Sequence, residues 1–255
     1  MNKVCLALYT CFICFCLQAA TNKNFFVRGI YDGISIHRNL FSVDSVKVGM
    51  VCLPWYGVAR QTDQGIQSSF YCNKTHTNKK QIPQFCHDLS SKGVPALVVG
   101  LSLFSFHSDE HISNTARVFA AGIPYVWGCK NILKCMQYDC NLRPKCQYFD
   151  SKSKYYGGCP SGHMAFMAYA TTVFGLQFGA PIAIPLGMLT GGVLGCSLNS
   201  NRHFLSQVVA GVGIGVLYGL GATKVIDKYC GDDIGYSFSC TPTDNGAEVS
   251  FSYSF

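Results

Sequence analysis

Residues 159–163 read Cys-Pro-Ser-Gly-His, and forty residues on the chain reads Arg202-His203-Phe-Leu-Ser-Gln207-Val-Val-Ala-Gly211. His163 and His203 each stand at the start of an apolar stretch, and Arg143-Pro144 lies upstream. Near neutral pH a histidine serves as nucleophile or as proton carrier. Arginine forks and the free N–H groups of helix starts bind phosphate. Ser161 falls where a helix N-cap is expected, and Gly162 allows close backbone approach. His203 and Gln207 are four apart, which puts both on one helical face. That spacing lets the Gln207 amide hold the imidazole in one tautomer. Between Lys130 and Lys154 six cations (Lys130, Lys134, Arg143, Lys145, Lys152, Lys154) face two acids, Asp139 and Asp150. A basic loop of this kind favours an anionic ligand.

The elements that must position these groups are apolar. Val94–Phe106, Ala116–Trp127, His163–Gly179, Pro181–Cys196 and Phe204–Gly221 carry few charges, and the last three approach the length of a membrane span. Their breaks, Ser108–Ser113, the loop 130–160 and Ser197–Arg202, are polar. The pattern predicts an all-α bundle of five or six helices. Only 13% of the 255 residues are charged, 49% are hydrophobic and the mean hydropathy is +0.20. Soluble domains average roughly 25% charged residues, so the composition favours a membrane-embedded bundle over an ordinary soluble one. Gly211, Gly215 and Gly219 share one helical face and predict close helix packing. They do not form a nucleotide loop, because the Gly-x-Gly-x-x-Gly pattern fails at Val216 and no strand precedes it.

The chain divides by composition. Residues 1–20 combine Lys3, an apolar run from Val4 to Leu17 and Ala19-Ala20, and read as a signal peptide or a first membrane helix. Residues 21–92 read as a polar extramembrane region, with Val46–Trp55 broken by Gly49 and Pro54. Residues 93–225 form the bundle, and 226–255 a cysteine-containing tail whose alternating end, Val249–Phe255, suggests a strand in a hairpin or a frayed terminus. Of fifteen cysteines four (Cys5, Cys11, Cys14, Cys16) lie in the leader, leaving eleven. An exported chain permits bridges among Cys135, Cys140, Cys146 and Cys159, between Cys72 and Cys86, and between Cys230 and Cys240. Cys196, inside an apolar run, reads as core. Asn73-Lys74-Thr75 is a glycosylation sequon by pattern.

The motifs together resemble the type 2 phosphatidic acid phosphatase / vanadium haloperoxidase superfamily, in a form similar to glucose-6-phosphatase. That family carries Lys-x6-Arg-Pro, Pro-Ser-Gly-His and Arg-x5-His-x3-Asp. Pro160-Ser161-Gly162-His163 matches the second in full, His203 to Gln207 the end of the third with Gln for Asp, and Arg143-Pro144 the end of the first. The resemblance spans roughly residues 115–222. It implies a phosphatase acting on a phosphate monoester or pyrophosphate, with a phosphorylated lipid or a small phosphate ester as substrate. His203 would be the nucleophile, His163 the proton donor, and Gln207 their support. Arg143, Lys134, Ser161, Gly162 and Arg202 would bind phosphate. The implied reaction needs no metal or cofactor, and no nucleic-acid partner is expected. The site would face the extracytoplasmic (periplasmic or lumenal) side of a multi-pass membrane protein, with a soluble secreted form as the alternative.

Two positions depart from the family pattern. The first-motif lysine should stand at Met136; Lys134 is the replacement read here, ahead of Lys130. The third-motif arginine should stand at Ser197, leaving Arg202, adjacent to the nucleophile, as its substitute. That gap keeps a non-catalytic phosphate- or lipid-binding relative in play. A vanadate-dependent haloperoxidase and a disulfide-rich structural membrane protein are the remaining alternatives. His107-Ser-Asp-Glu110-His111 formally matches a zinc-protease motif, but it sits in a polar break rather than on a helix presenting both histidines, so a solvated turn is the expected reading.

Overall fold

The computed structural model describes residues 23–72, 77–78, 84–136, 142–144, 157–230, 235–243 and 246–254. Along these the chain forms α1 (Lys23–Asn39) and α2 (Val43–Phe70), then a short pair β1 (Tyr71–Cys72) and β2 (Thr77–Asn78). α3 (Gln84–Asp88) passes through a π-helical turn at Leu89–Gly93 into α4 (Val94–Leu103). α5 (Glu110–Cys135), α6 (Gly162–Phe178), α7 (Ala180–Asn199) and α8 (Leu205–Cys230) complete the bundle. The antiparallel hairpin of β3 (Gly235–Thr243) and β4 (Gly246–Ser254) follows, pairing Gly235 with Ser254. The all-α expectation holds for the bundle, and the alternating end of the chain is one arm of the hairpin.

The tightest seam runs between α6 and α8, and the shared face of Gly211, Gly215 and Gly219 makes it possible. A Cβ on Gly211 would run into the Ser161 carbonyl, one on Gly215 into the Ala165 carbonyl, and one on Gly219 would lie 2.5 Å from Thr172 Cβ. Only hydrogen at these positions lets the backbones meet. The other side of α8 receives α1, where Gly221 leaves room for the Ile36 carbonyl. α5 closes the core: Phe119 stacks on Tyr169 at 4.9 Å between centroids, and the Tyr169 hydroxyl donates to the Phe119 carbonyl at 2.9 Å. Asp109 starts α5 by accepting from the Ile112 N–H at 3.0 Å, as an N-cap residue should.

Residues 23–70 differ from the sequence reading in a way that bears on function. Two long helices stand where a largely polar region was expected, and α2 passes unbroken through Gly49 and Pro54. The polarity of 61–70 is not all solvated: Asp63 and Gln67 are buried. Asp32, on α1, is buried too, paired with Arg117 of α5 at 3.4 Å and accepting from the Tyr229 hydroxyl at 2.5 Å. A buried charge is tolerated only when paired and hydrogen-bonded, so these polar residues tie helices together.

Among the described residues three segments are long and apolar enough to cross a membrane: Leu89–Phe106, Ala180–Asn199 and Leu205–Cys230. Cys196 is buried, as a core residue should be. The leader 1–20, the sequon Asn73-Lys74-Thr75, and Cys140 and Cys146 lie outside the described residues, as do the side chains of Cys72 and Cys240.

Candidate active site

Ser161 is the N-cap residue of α6 by backbone geometry, but its side chain does not cap the helix. Its N–H donates to the Gln207 carbonyl at 2.9 Å, and its carbonyl accepts from Ala165 at 3.0 Å. The start of α6 is therefore joined to the first turn of α8, and the two histidines are placed by one rigid unit. The Ser161 hydroxyl oxygen is buried with no hydrogen-bond partner. An orphaned buried hydroxyl costs stability, and such groups cluster where a ligand completes them.

His203 is buried, and its Nδ1 lies 2.8 Å from the Gly158 carbonyl oxygen. A carbonyl only accepts, so Nδ1 carries the proton and Nε2 keeps its lone pair. Burial, followed by the charges of Lys134 and Arg143 and by His163, pushes the imidazole down from 6.5 to about 3. The ring is neutral and nucleophilic throughout the physiological range.

Gln207 does a different job from the one its spacing suggested. Its Nε2 donates to the Leu142 carbonyl at 2.5 Å and its Oε1 accepts from the Phe204 N–H at 3.2 Å. The bond that fixes the His203 tautomer comes from the Gly158 carbonyl, and Gln207 holds the segment that carries Arg143. Gly158 is what allows this, since a Cβ there would lie 2.6 Å from Gln207 Nε2. Arg143 Nη2 donates to the Gly157 carbonyl at 3.1 Å, and Gly157 has φ +91, a conformation that suits glycine.

His163, half-buried in the first turn of α6, has Arg202, Lys134 and Lys130 as its charged neighbours, in that order of influence. Lys134 acts on both histidines, whereas Lys130 is a neighbour of His163. Burial first, then the charges of Lys130 and Arg143, lowers Lys134 from 10.5 to about 8. The Lys130 stem lies over Gly162, where a Cβ would be 2.9 Å from its Cδ, and its ammonium donates to Asn131 Oδ1 at 2.9 Å. Arg202 belongs to the turn before α8: its N–H donates to the carbonyl of buried Ser197 at 3.2 Å. His163, His203, Lys134, Arg143 and Arg202 thus lie within electrostatic reach of one another, a set of donors and cations suited to a phosphoryl group.

Asp63 and Gln67 of α2 belong to this site as supports. Asp63 accepts from the Ser206 N–H at 2.9 Å through Oδ1 and from the Ser206 hydroxyl at 2.5 Å through Oδ2, capping α8 from another helix. Gln67 Nε2 donates to the Pro144 carbonyl at 3.3 Å. One helix therefore secures both the turn that carries His203 and the segment that carries Arg143. No local pattern announces contacts between positions so distant in sequence. The Gly157-Gly158 pair, just before Cys-Pro-Ser-Gly-His, was the available signal for the backbone cradle.

His107 and His111 are engaged separately. His107 Nδ1 accepts from the Asp109 N–H at 3.1 Å, and His111 Nε2 lies 2.9 Å from Gln177 Oε1. Among the described residues no three His, Cys, Asp or Glu side chains are grouped to hold a metal.

Residues 112–229 match the family model of the PAP2 superfamily. No curated protein and no solved structure matches the chain. The matched segment runs from the first turn of α5 to the last turn of α8, and so takes in both histidines, Lys134, Arg143, Ser161 and Arg202. Over these residues the chain is similar to the PAP2 superfamily, whose members are generally phosphatases.

Proposed function

We propose that the protein hydrolyses a phosphate monoester or pyrophosphate through a phosphohistidine on His203, with a lipid phosphate as its substrate class. The observation that carries this reading is the His203 Nδ1 to Gly158 bond, which leaves Nε2 as a neutral nucleophile beside Lys134 and Arg143. His203 Nε2 attacks phosphorus while the bond to the leaving oxygen breaks; His163, held down to about 4 by burial and by the charges of Arg202, Lys134 and Lys130, takes up a proton from solvent as the phosphate anion binds and donates it to that oxygen. Water then attacks the phosphohistidine, His163 takes a proton from it, and inorganic phosphate leaves. Lys134, Arg143, Arg202, the Ser161 hydroxyl and the Gly162 N–H hold the phosphoryl oxygens where charge grows. The lipid preference rests on α5, where Trp127 and Ile132 are exposed beside Lys130 and Lys134, so apolar surface adjoins the cations. A multi-pass topology with the site on the extracytoplasmic side accompanies this reading.

The test is phosphate release by purified protein and by His203→Ala, offered an aryl phosphate, phosphatidic acid, a polyprenyl pyrophosphate and glucose 6-phosphate. The parent should turn over the lipid substrates, and the variant should lose at least about a thousand-fold, the scale on which an essential nucleophile acts. Ser197 at the family's arginine position favours a second reading, a phosphate-binding relative without turnover. A folded parent that binds phosphate and releases none from any substrate would establish it.

A further inference from the structure

A second site lies at the far end of the same helices. A cavity of about 620 Å³ opens between the N-terminal part of α2, the C-terminal half of α6, the start of α7 and the middle of α8. Its walls are almost wholly apolar, with Val51, Leu176, Ala183 and Val216 among them. Small residues create it: Gly175, Gly179, Ala180 and Ala183 line the α6–α7 hairpin, where larger side chains would have filled the space. The volume falls within the roughly 300–1,000 Å³ of built small-molecule sites. From His163 to Gly175 is twelve residues of α6, so the cavity begins about 18 Å from the histidines along the helix axis. It belongs to the opposite face of the bundle.

The surroundings identify the occupant. The flanking surfaces are apolar and exposed, with Val46, Met50 and Leu53 on α2 and Ile182, Ile184 and Met188 on α7. Of these two helices α7 is long and apolar enough to cross a membrane, and such surface on it faces hydrocarbon rather than water. The mouth, by contrast, is charged. Lys224 Nζ lies 2.6 Å from Asp44 Oδ2, and Lys47 Nζ lies 3.6 Å from Asp44 Oδ1. Two cations share one carboxylate, which leaves the rim positive. An apolar slot opening toward hydrocarbon beneath a positive rim is complementary to an acyl chain beneath an anionic headgroup. We infer that this cavity binds one acyl chain of an anionic glycerophospholipid from the leaflet opposite the histidine site, with Lys47 and Lys224 on its phosphate. The site is independent of the phosphatase reading, since no group in it takes part in that chemistry.

The experiment is photo-crosslinking of the full chain in vesicles. Phosphatidylglycerol and phosphatidylcholine probes would carry the same diazirine acyl chain, and adducts would be mapped by peptide mass spectrometry. Adducts should concentrate on residues 44–52 and 171–183 and be several-fold more abundant with the glycerol headgroup. Val48→Trp, which fills the slot from a lining position, should remove them. Lys47→Glu should abolish the headgroup preference while leaving the neutral probe's adducts. His203→Ala should leave both unchanged, which separates this site from failure of the catalytic reading. Adducts spread evenly over the exposed helix faces, or indifferent to Val48→Trp in a folded protein, overturn the inference. Adducts at the cavity with equal yield from the two probes overturn the anionic assignment.

Discussion

α7 and α8 have the same mean hydropathy over their span-length windows, yet 56% of the α8 window is buried within the protein against 22% of the α7 window. Hydropathy registers that both are apolar and is blind to which neighbour covers them, because helix side chains and lipid tails are equally apolar. The difference is written in the glycines. Gly211, Gly215 and Gly219 of α8 each face another backbone or a packed side chain at distances that exclude a Cβ. Gly187, Gly191 and Gly195 of α7 recur at the same spacing with nothing within 4 Å of where a Cβ would stand. Equal periodicity therefore serves a seam in one helix and an outward face in the other.

The most severe test of that contrast is a matched pair. Gly215→Leu would drive a side chain into the Ala165 carbonyl and Ala168. Backbone cannot yield as a flexible side chain does, so the cost belongs at or above the upper end of the 1–3 kcal/mol typical of overpacking, about 3 kcal/mol or more. Gly191→Leu on exposed α7 should stay within about 0.5 kcal/mol, as surface substitutions do. Thermal unfolding in detergent compares the two. Equal losses would mean that α7 is covered after all and that the burial difference has no energetic meaning.

The same logic shows what was legible in the sequence. The α8 seam was readable because its glycines sit on one face of the apolar helix that follows His203. The α7 glycines look identical by spacing, and only the fold separates them. Cys-Pro-Ser-Gly-His and His203-x3-Gln207 pointed to the groups proposed to react because their residues are local in sequence. The supports were not legible, because they act across the fold. Asp63 caps α8 from α2, and its neighbourhood of Gln and Asp reads as solvent-exposed until the Ser206 contacts are seen. The shared helical face expected for His203 and Gln207 does not form, because His203 lies in the turn before α8 begins at Leu205, and the Gly158 carbonyl rather than Gln207 holds its Nδ1. A backbone acceptor carries no side-chain signature.

Close approach also operates inside the site, at Gly158, and a smaller effect is expected there. A Cβ on Gly158 would press on the Gln207 amide, which bonds the Leu142 carbonyl. Gly158→Ala should displace both that amide and the acceptor of His203, lowering turnover by about a hundred-fold, as a misplacement of about 1 Å can do. The loss should fall on kcat with the protein still folded. A variant with normal kcat would show that the cradle tolerates displacement and that the tautomer is fixed elsewhere.

Ser161 sharpens the comparison from the opposite side, since its hydroxyl is buried and unbonded. A group that serves the fold loses stability when removed, whereas a group held open for a ligand loses function. Ser161→Ala should leave thermal stability unchanged or raise it, because the unsatisfied hydroxyl is gone. Phosphate release should fall about ten-fold, the lower range for one oxygen-stabilising donor. Destabilisation without loss of activity would return Ser161 to a structural role.

The smallest effect is a shift on the pH axis, and it separates the cations at the site from those at the cavity. Burial and the neighbouring charges of Lys130 and Arg143 bring Lys134 down to about 8. Below that pH it is charged and attracts phosphate; above it the proton is lost and one attraction disappears. The kcat/KM profile, which reports the free enzyme, should therefore fall as pH rises through about 8. A bound phosphate favours the charged ammonium, so the corresponding limb in kcat should lie higher. Lys134→Arg keeps its charge at every accessible pH, and its kcat/KM should lose the limb while neutral-pH activity falls only a few-fold from the altered shape of the donor. Lys47→Gln, at the cavity mouth, should leave the limb where it is. A limb that persists in Lys134→Arg would assign the ionisation to another group and break the link between Lys134 and the phosphoryl oxygens.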